Sequence, residues 1–418
     1  MMEYQIIKKG RKGFLRPIPS FQLSKKLESS LSYMKKGAEF FPHPMWAKVK
    51  LYNIKSASFP YGLLDDVINL LREDNHSIKV LSLRKDKPVI IFSPFSRNYQ
   101  REAIRRLVEN NGGILSMPTG SGKTFTCIDY LKQHQKPSLV IVPTLELVKQ
   151  WKKQSPDYVH IRTYQGIKDY SILNEYDIVT FDEVHHVSAS TIYKIAMHLN
   201  EQIVVGLSGT VNLREDGEDM KVSGAIGKVV YSVSTRELIN QGYLSDAEIE
   251  LIELTPYHSE GYKTYQEIYK EYIIENKERN DKIISLCKGY KDKKILVLVG
   301  QIEHGQNITN SLNGEDCVFI WSKIKVKDTN HRIIVASSVF DEGVDIPDCD
   351  IIIMAAGGQS SIKCIQRIGR VLRTSPNKEK ALIIDFIDNA KYLFQHYKKR
   401  KRIYEEHGFR IRGVRNGI

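Results

Sequence analysis

MPTGSGKTFT (117–126) follows the apolar run GILSM (113–117) and opens a helical stretch, in the order strand, glycine-rich turn, helix. That order builds a phosphate-binding loop. Gly120 and Gly122 let the backbone amides of Thr119 to Gly122, Ser121 included, curl around a polyphosphate. Lys123 sets its charge on the β- and γ-phosphates, and the Thr124 hydroxyl is placed to ligate magnesium. Met117 stands where the strict pattern has glycine.

Downstream, YDIVTFDEVHH (176–186) is an apolar strand ending in paired carboxylates. Asp182 is read as holding magnesium through water, and Glu183 as orienting or deprotonating an attacking water. His185 either couples this site to the next motif or caps a turn. LSGT (207–210) closes another strand, where Ser208 and Thr210 are small hydroxyls able to relay between the carboxylates and a second lobe. In QRIGRVLR (366–373), Gln366, Arg370 and Arg373 share one helical face. Two arginines there can reach a γ-phosphate presented by another lobe. SSVFDEGVDIP (337–347) precedes them and places Gly343 and Asp345 in a strand-end loop.

Around these motifs run further apolar, β-branched segments: SLVIVP (138–143), QIVVGLS (202–208), KILVLVG (294–300), CVFIW (317–321), RIIVAS (332–337), IIIMAA (351–356) and KALIIDF (380–386). They read as central parallel strands, apolar on both faces, and their alternation with amphipathic stretches implies α/β units. They fall into two clusters, before residue 210 and after 290. Between the clusters lies a polar, Tyr-rich stretch of helical period at 260–287.

The apolar run at Ile351–Ala356 is far too short to span a membrane, and MMEYQIIKKGRKG has no apolar stretch behind its charges. The five cysteines, Cys127, Cys287, Cys317, Cys349 and Cys364, form no CxxC pair, which argues against a zinc ribbon and for reduced thiols in a cytoplasmic setting. Charge is uneven. Residues 1–90 carry 17 Lys and Arg against 8 Asp and Glu, and residues 391–418 carry 9 Lys and Arg against 2 Glu. Of the overall +13, the ends hold +9 and +7, and the body is near neutral. Two basic ends fit a polyanion, or simply a solvated surface.

Phosphate loop, DEVH, SGT, GVDIP and QRIGRVLR occur in the order and spacing of superfamily 2 helicases, and residues 90–390 resemble that family. The resemblance implies two RecA-like parallel-sheet lobes, ATP and Mg2+ as cofactors, and Arg370 and Arg373 as arginine fingers. It also casts RNYQREAI (97–104) as the adenine-reading segment, with Gln100 as the hydrogen-bonding amide and Tyr99 as a stacker. VPTLELVKQW (142–151) and TYQG (163–166) resemble motifs that touch nucleic-acid backbone, with Pro143, Thr144 and Thr163 as candidates. Arg214, in NLREDGEDM (212–220), matches the RED loop of XPB-like DNA helicases, or is part of a charged turn. Glu342 replaces the usual arginine before Gly343, and the connection SKIKVKDTNH (322–331) is short for the family.

The segment 38–73, with "LY…FPYGLL", resembles the small N-terminal α+β domain of UvsW-type phage helicases. The expected organisation is therefore an N-terminal DNA-docking domain at 1–88, lobe 1 at 89–236 and lobe 2 at 237–418. Lobe 2 carries a helical insert at about 256–290 and a basic segment at 391–418. In the N-terminal part a single amphipathic helix is expected near Leu63–Leu71, and Trp46 and Tyr61 are read as core before DNA contact. In KYLFQHYKKRKRIYEEH (391–407) the apolar positions predict a packed helix, and Lys398 to Arg402 form a run of five cations that cannot all face one side, so that some must point to solvent or phosphate; FRIRGVR (409–415) continues the charge. The implied function is ATP-dependent remodelling of branched or forked DNA, in the host cytoplasm if viral, beside viral or host replication and recombination proteins. The alternatives are a duplex translocase that displaces proteins or serves a transcription or restriction complex, and a nucleic-acid scaffold with an inactive motor.

Overall fold

In a computed structural model, residues 2–35, 37–38, 41–81, 88–184, 189–209, 218–256, 264–321, 329–337, 349–357 and 380–416 are described. They form two compact units, one of 1–117 with 122–233, the other of 234–418 with 118–121.

The first unit begins with β1 (Glu3–Lys9), β2 (Lys12–Arg16), α1 (Phe21–Ser30), β3 (Ser32–Met34), β4 (Lys48–Lys50), β5 (Ser58–Pro60), α2 (Leu64–Glu73) and β6 (Ser77–Leu81). The sheet order is β5-β2-β1-β6, with β3 and β4 paired apart. Ile6, Leu15, Leu27, Phe59, Val67 and Leu71 close a core of their own. α1 joins α2, so the expected single helix is two. Ser20 caps α1 by accepting from the Leu23 amide. Trp46 is 71% exposed, against the expectation of a core position, because it sits in a one-turn helix outside that core.

This small layer packs closely on the rest of its unit. The Arg11 guanidinium, itself buried, donates to the Ala225 and Ile226 carbonyls at 2.7 and 2.9 Å. Gly62 lies so near the same helix that a Cβ there would meet the Ser223 carbonyl oxygen at 2.0 Å.

The unit continues with α3 (Asn98–Asn110), β7 (Gly112–Ser116), α4 (Lys123–His134), β8 (Ser138–Val142), α5 (Leu145–Lys152), β9 (Val159–Thr163), β10 (Ile178–Phe181), α6 (Ala189–Ala196), β11 (Ile203–Ser208), α7 (Asp219–Ile226) and β12 (Val229–Ser232). Its sheet, β12-β7-β11-β10-β8-β9, is parallel throughout. β7, β8, β10 and β11 are buried along their whole length, as strands covered by helices on both faces must be.

The second unit holds α8 (Thr235–Asn240), β13 (Asp246–Glu253), α9 (Tyr265–Tyr269), α10 (Lys277–Gly289), β14 (Ile295–Leu298), α11 (Ile302–Ser311), β15 (Cys317–Ile320), β16 (Ile333–Ala336), β17 (Ile351–Met354), β18 (Lys380–Ile387), α12 (Leu393–Glu406) and β19 (Arg410–Asn416). The sheet runs β15-β16-β14-β17-β18-β13-β19, again parallel. The architecture is thus two RecA-like parallel-sheet lobes with a small α+β N-terminal layer. The Tyr-rich stretch packs on the second lobe: Ile268, Tyr272 and Ile273 bury against Ala390 and Leu393.

Two features of the C-terminal segment are decided by packing. Arg400 does not face solvent. It is 2% exposed and its Nε and Nη2 bind Asp385 Oδ2 at 2.8 Å and Asp388 Oδ2 at 2.9 Å. Asp388 also takes Arg279 Nη1 at 2.7 Å, so two arginines and two aspartates form a neutral buried cluster. FRIRGVR is no free tail either. It forms β19, paired to β13, where Arg410 and Arg412 meet buried Glu248.

Candidate nucleotide and nucleic-acid site

Several described candidates of the first lobe lie where a parallel strand ends, while Tyr99 and Gln100 lie on α3. Met117 follows β7, Pro143 follows β8, Thr163 ends β9, Asp182 follows β10 and Ser208 ends β11. In a parallel α/β sheet the carboxyl edge is where helix N-termini and loop amides converge, and ligands bind there.

The Met117 amide donates to the Ser208 carbonyl at 2.9 Å, fixing the start of the glycine loop. Gly120 and Gly122 have φ of +84° and +80°, which a side chain would resist. A Cβ on Gly122 would also meet Gln100 Nε2 at 2.7 Å. The Gln100 amide therefore lies against the loop, aimed by its own Oε1, which accepts from the Arg97 amide at 2.9 Å in the first turn of α3. Lys123 opens α4, with its ammonium folded back to donate to the Met117 carbonyl at 3.1 Å. Thr124 is half-buried in the same first turn, and Ser121 is buried.

Asp182 is held at four points. Its amide donates to the Ile141 carbonyl at 2.9 Å, and its carbonyl accepts from the Tyr164 hydroxyl at 2.9 Å. Its Oδ1 accepts from the Glu183 amide at 2.9 Å, and its Oδ2 from the Trp151 indole N–H at 2.8 Å. Burial pushes the Asp182 carboxyl up to about 7, with the Glu183 charge adding to the rise; Trp151 and Lys123 oppose it. Glu183 has φ of +49°, a left-handed backbone uncommon for a non-glycine residue and a form of strain that collects at functional sites.

These residues fit a magnesium-bound nucleoside triphosphate. The Gly122 cradle would be filled by any Cβ, and a buried carboxyl pushed toward neutrality gains from a cation beside it. Lys123, Thr124, Asp182, Glu183 and Gln100 are brought together on the first lobe.

Other candidates are placed differently. Tyr99 is 5% exposed on the inner face of α3, its hydroxyl 3.3 Å from Arg97 Nη1. Thr144 and Thr163 lie on the carboxyl edge, but their hydroxyls cap. Thr144 Oγ1 accepts from the Leu147 amide at 3.3 Å, and Thr163 Oγ1 from the Gly166 amide at 3.1 Å. His185, Thr210, Arg214, Gly343, Asp345, Gln366, Arg370 and Arg373 lie outside the described residues. Trp151 and Tyr164 were not singled out by sequence. The available signal was chemical: a buried Trp or Tyr carries a polar hydrogen that needs an acceptor.

No helix among the described residues is long and apolar enough to cross a membrane. The family described as type III restriction enzyme, res subunit, matches residues 95–166 and 153–213, and the helicase conserved C-terminal domain matches 263–375. The chain is 28% identical over 348 residues to the ATP-dependent DNA helicase uvsW of Enterobacteria phage T4, covering 70% of this chain and 68% of that one. It is 24% identical over 359 residues to the DNA 3'-5' translocase XPB2 of Sulfurisphaera tokodaii, covering 70% and 81%. Its fold matches an HsdR subunit fragment of a type I restriction enzyme from Vibrio vulnificus with a TM-score of 0.59 at 17% identity, covering 96% and 84%. With both lobe families matched in order over more than half of its length, the chain belongs to superfamily 2 of the helicases.

Proposed function

We propose that this helicase couples ATP hydrolysis, with Mg2+, to movement along DNA, and that it remodels branched DNA by branch migration or fork regression in recombination, repair or replication. The observation that carries the reading is the shared edge: phosphate loop, paired carboxylates and the strand ends of the nucleic-acid motifs all leave one side of one sheet. The names of the T4 and archaeal relatives support DNA as the track.

In this reading Lys123 offsets the charge of the terminal phosphates, and the loop amides of Thr119 to Gly122 hold them. Thr124 and Asp182 would hold the metal, which when bound draws charge from the phosphate oxygens. Glu183 orients the attacking water and takes its proton. Gln100 reads the adenine edge. Arg370 and Arg373 supply the arginine fingers, Gly343, Asp345 and Gln366 contribute to nucleotide binding, and His185, Ser208 and Thr210 relay the state of the site. Pro143, Thr144, Thr163 and Arg214 contact backbone, and residues 1–88 dock duplex.

The test compares ATPase stimulation and strand rearrangement on a Holliday junction, a fork, plain duplex and RNA at one stated salt concentration. Junction and fork are expected to exceed duplex, and duplex to exceed RNA. Equal stimulation by plain duplex, without junction processing, would favour the duplex translocase.

A further inference from the structure

Two elements that carry nucleic-acid motifs end on the same aspartate. Thr144 caps α5, a helix of eight residues whose seventh is Trp151. The Trp151 ring is fully buried, and its indole N–H donates to Asp182 Oδ2 at 2.8 Å, also in the interior. Thr163 closes the turn at the end of β9 by accepting from the Gly166 amide. The first residue of that turn is Tyr164, 4% exposed, whose hydroxyl donates to the Asp182 main-chain oxygen at 2.9 Å. One donor holds the carboxylate and the other the backbone that carries it.

Both links are short and enclosed, and neither contains a flexible side chain. The indole and the phenol are rigid rings whose orientation follows their backbone. A displacement of Thr144 or Thr163 therefore moves a hydrogen-bond donor at Asp182. Protein interiors are close-packed, so such a displacement cannot be absorbed between the two ends. A simple structural role would need an acceptor for each polar hydrogen, but not the same residue for both.

We infer that Trp151 and Tyr164 are positioning residues that couple nucleic-acid binding on the α5 and β9 ends to the carboxylate that would hold the metal–nucleotide complex. The inference rests on the proposed motor function. Coupling is reciprocal: if nucleic acid alters nucleotide affinity by some factor, nucleotide alters nucleic-acid affinity by the same factor.

The readout is equilibrium affinity rather than turnover. Binding of a fluorescent ADP with Mg2+ is measured with and without a duplex DNA of fixed length, and DNA binding with and without ADP. The full-length wild type is expected to show a coupling factor in the usual range of ~5- to 150-fold. Tyr164→Phe removes one oxygen and leaves the ring in place. Trp151→Phe removes the indole donor. Each should bring the factor toward one, by about tenfold where the wild-type factor is large enough to show it, and equally in both directions of the cycle. Ile195→Val trims the same core without touching Asp182 and should keep the wild-type factor. Wild-type coupling in both Tyr164→Phe and Trp151→Phe would overturn the inference while leaving the motor intact. Loss of coupling in Ile195→Val as well would reduce it to packing and overturn it too. A wild type that binds ADP but neither binds nor responds to nucleic acid would refute the proposed function, and this inference with it.

Discussion

Arg400 sits in the middle of a run of five cations, and the structure separates it from the other four. Its guanidinium makes bonds of 2.8 and 3.1 Å to Asp385, 2.9 Å to Asp388 and 3.2 Å to the Phe386 carbonyl, with the side chain 2% exposed. Arg400→Gln would leave two fully buried carboxylates that keep Arg279, the Tyr404 hydroxyl and the Phe386 amide but lose a cation shared between them. Removing one partner from such a cluster costs about 3–5 kcal/mol, because the remaining charge stays buried. For a unit of this size that is roughly 6–20 °C in melting temperature, at ~2–4 °C per kcal/mol.

The four neighbours behave differently. Lys401 and Arg402 pair with Glu405 and Glu406 on an exposed helix face, with each bridge worth at most about 1 kcal/mol. Replacing Lys398, Lys399, Lys401 and Arg402 together by Gln should change stability little. If they meet phosphates, it should flatten the log–log salt dependence of duplex binding by up to ~0.9 for each phosphate no longer neutralised. The assay is paired: thermal unfolding of both variants by circular dichroism, and DNA affinity from 50 to 200 mM salt. Arg400→Gln should move the first and spare the salt slope. An Arg400→Gln protein of wild-type stability would refute the buried-cluster argument, and an unchanged slope in the fourfold variant would remove this helix from the DNA-binding surface.

Three further outcomes follow from particular residues. Lys123→Ala and Glu183→Gln should each abolish ATP turnover, while Glu183→Gln still binds nucleotide in a fluorescence titration; wild-type turnover in either would dismiss the site assignment. His304 is buried, with Nε2 2.9 Å from Asn280 Oδ1, and burial together with Arg279 lowers it to about 3. It is neutral in both states above 6.5. As pH falls from 6.5 toward 3 only the unfolded chain takes up the proton, so the fold should lose about 2 kcal/mol between pH 7 and 5, and His304→Gln should lose correspondingly less in urea melts. Gly62→Val should loosen the N-terminal layer from α7, seen as faster amide exchange in α1 and α2. Unchanged exchange would mean that the clash of an added Cβ with the Ser223 carbonyl is readily relieved.

The sequence alone determined the lobes and the nucleotide chemistry. Runs such as SLVIVP and IIIMAA are apolar on both faces, which only a strand covered on both sides tolerates. Glycines ahead of Lys123 and carboxylates after an apolar strand are local signals, readable without knowing what surrounds them. β13 escaped that reading. In DAEIELIE, Glu248 and Glu250 interrupt the apolar pattern, and they are buried, Glu248 meeting Lys380, Arg410 and Arg412, residues some 130 to 160 positions away. Arg400 escaped for the same reason. A cation in a cationic run reads as solvated until the fold brings Asp385 and Asp388 to it. Tyr99 was read from its place in a motif, and the burial of its ring on the inner face of α3 is visible only in the fold. Trp151 and Tyr164 became informative only when β10 placed Asp182 between them, because a hydrogen bond between residues 31 and 18 positions apart is set by the packing of strands and not by spacing along the chain.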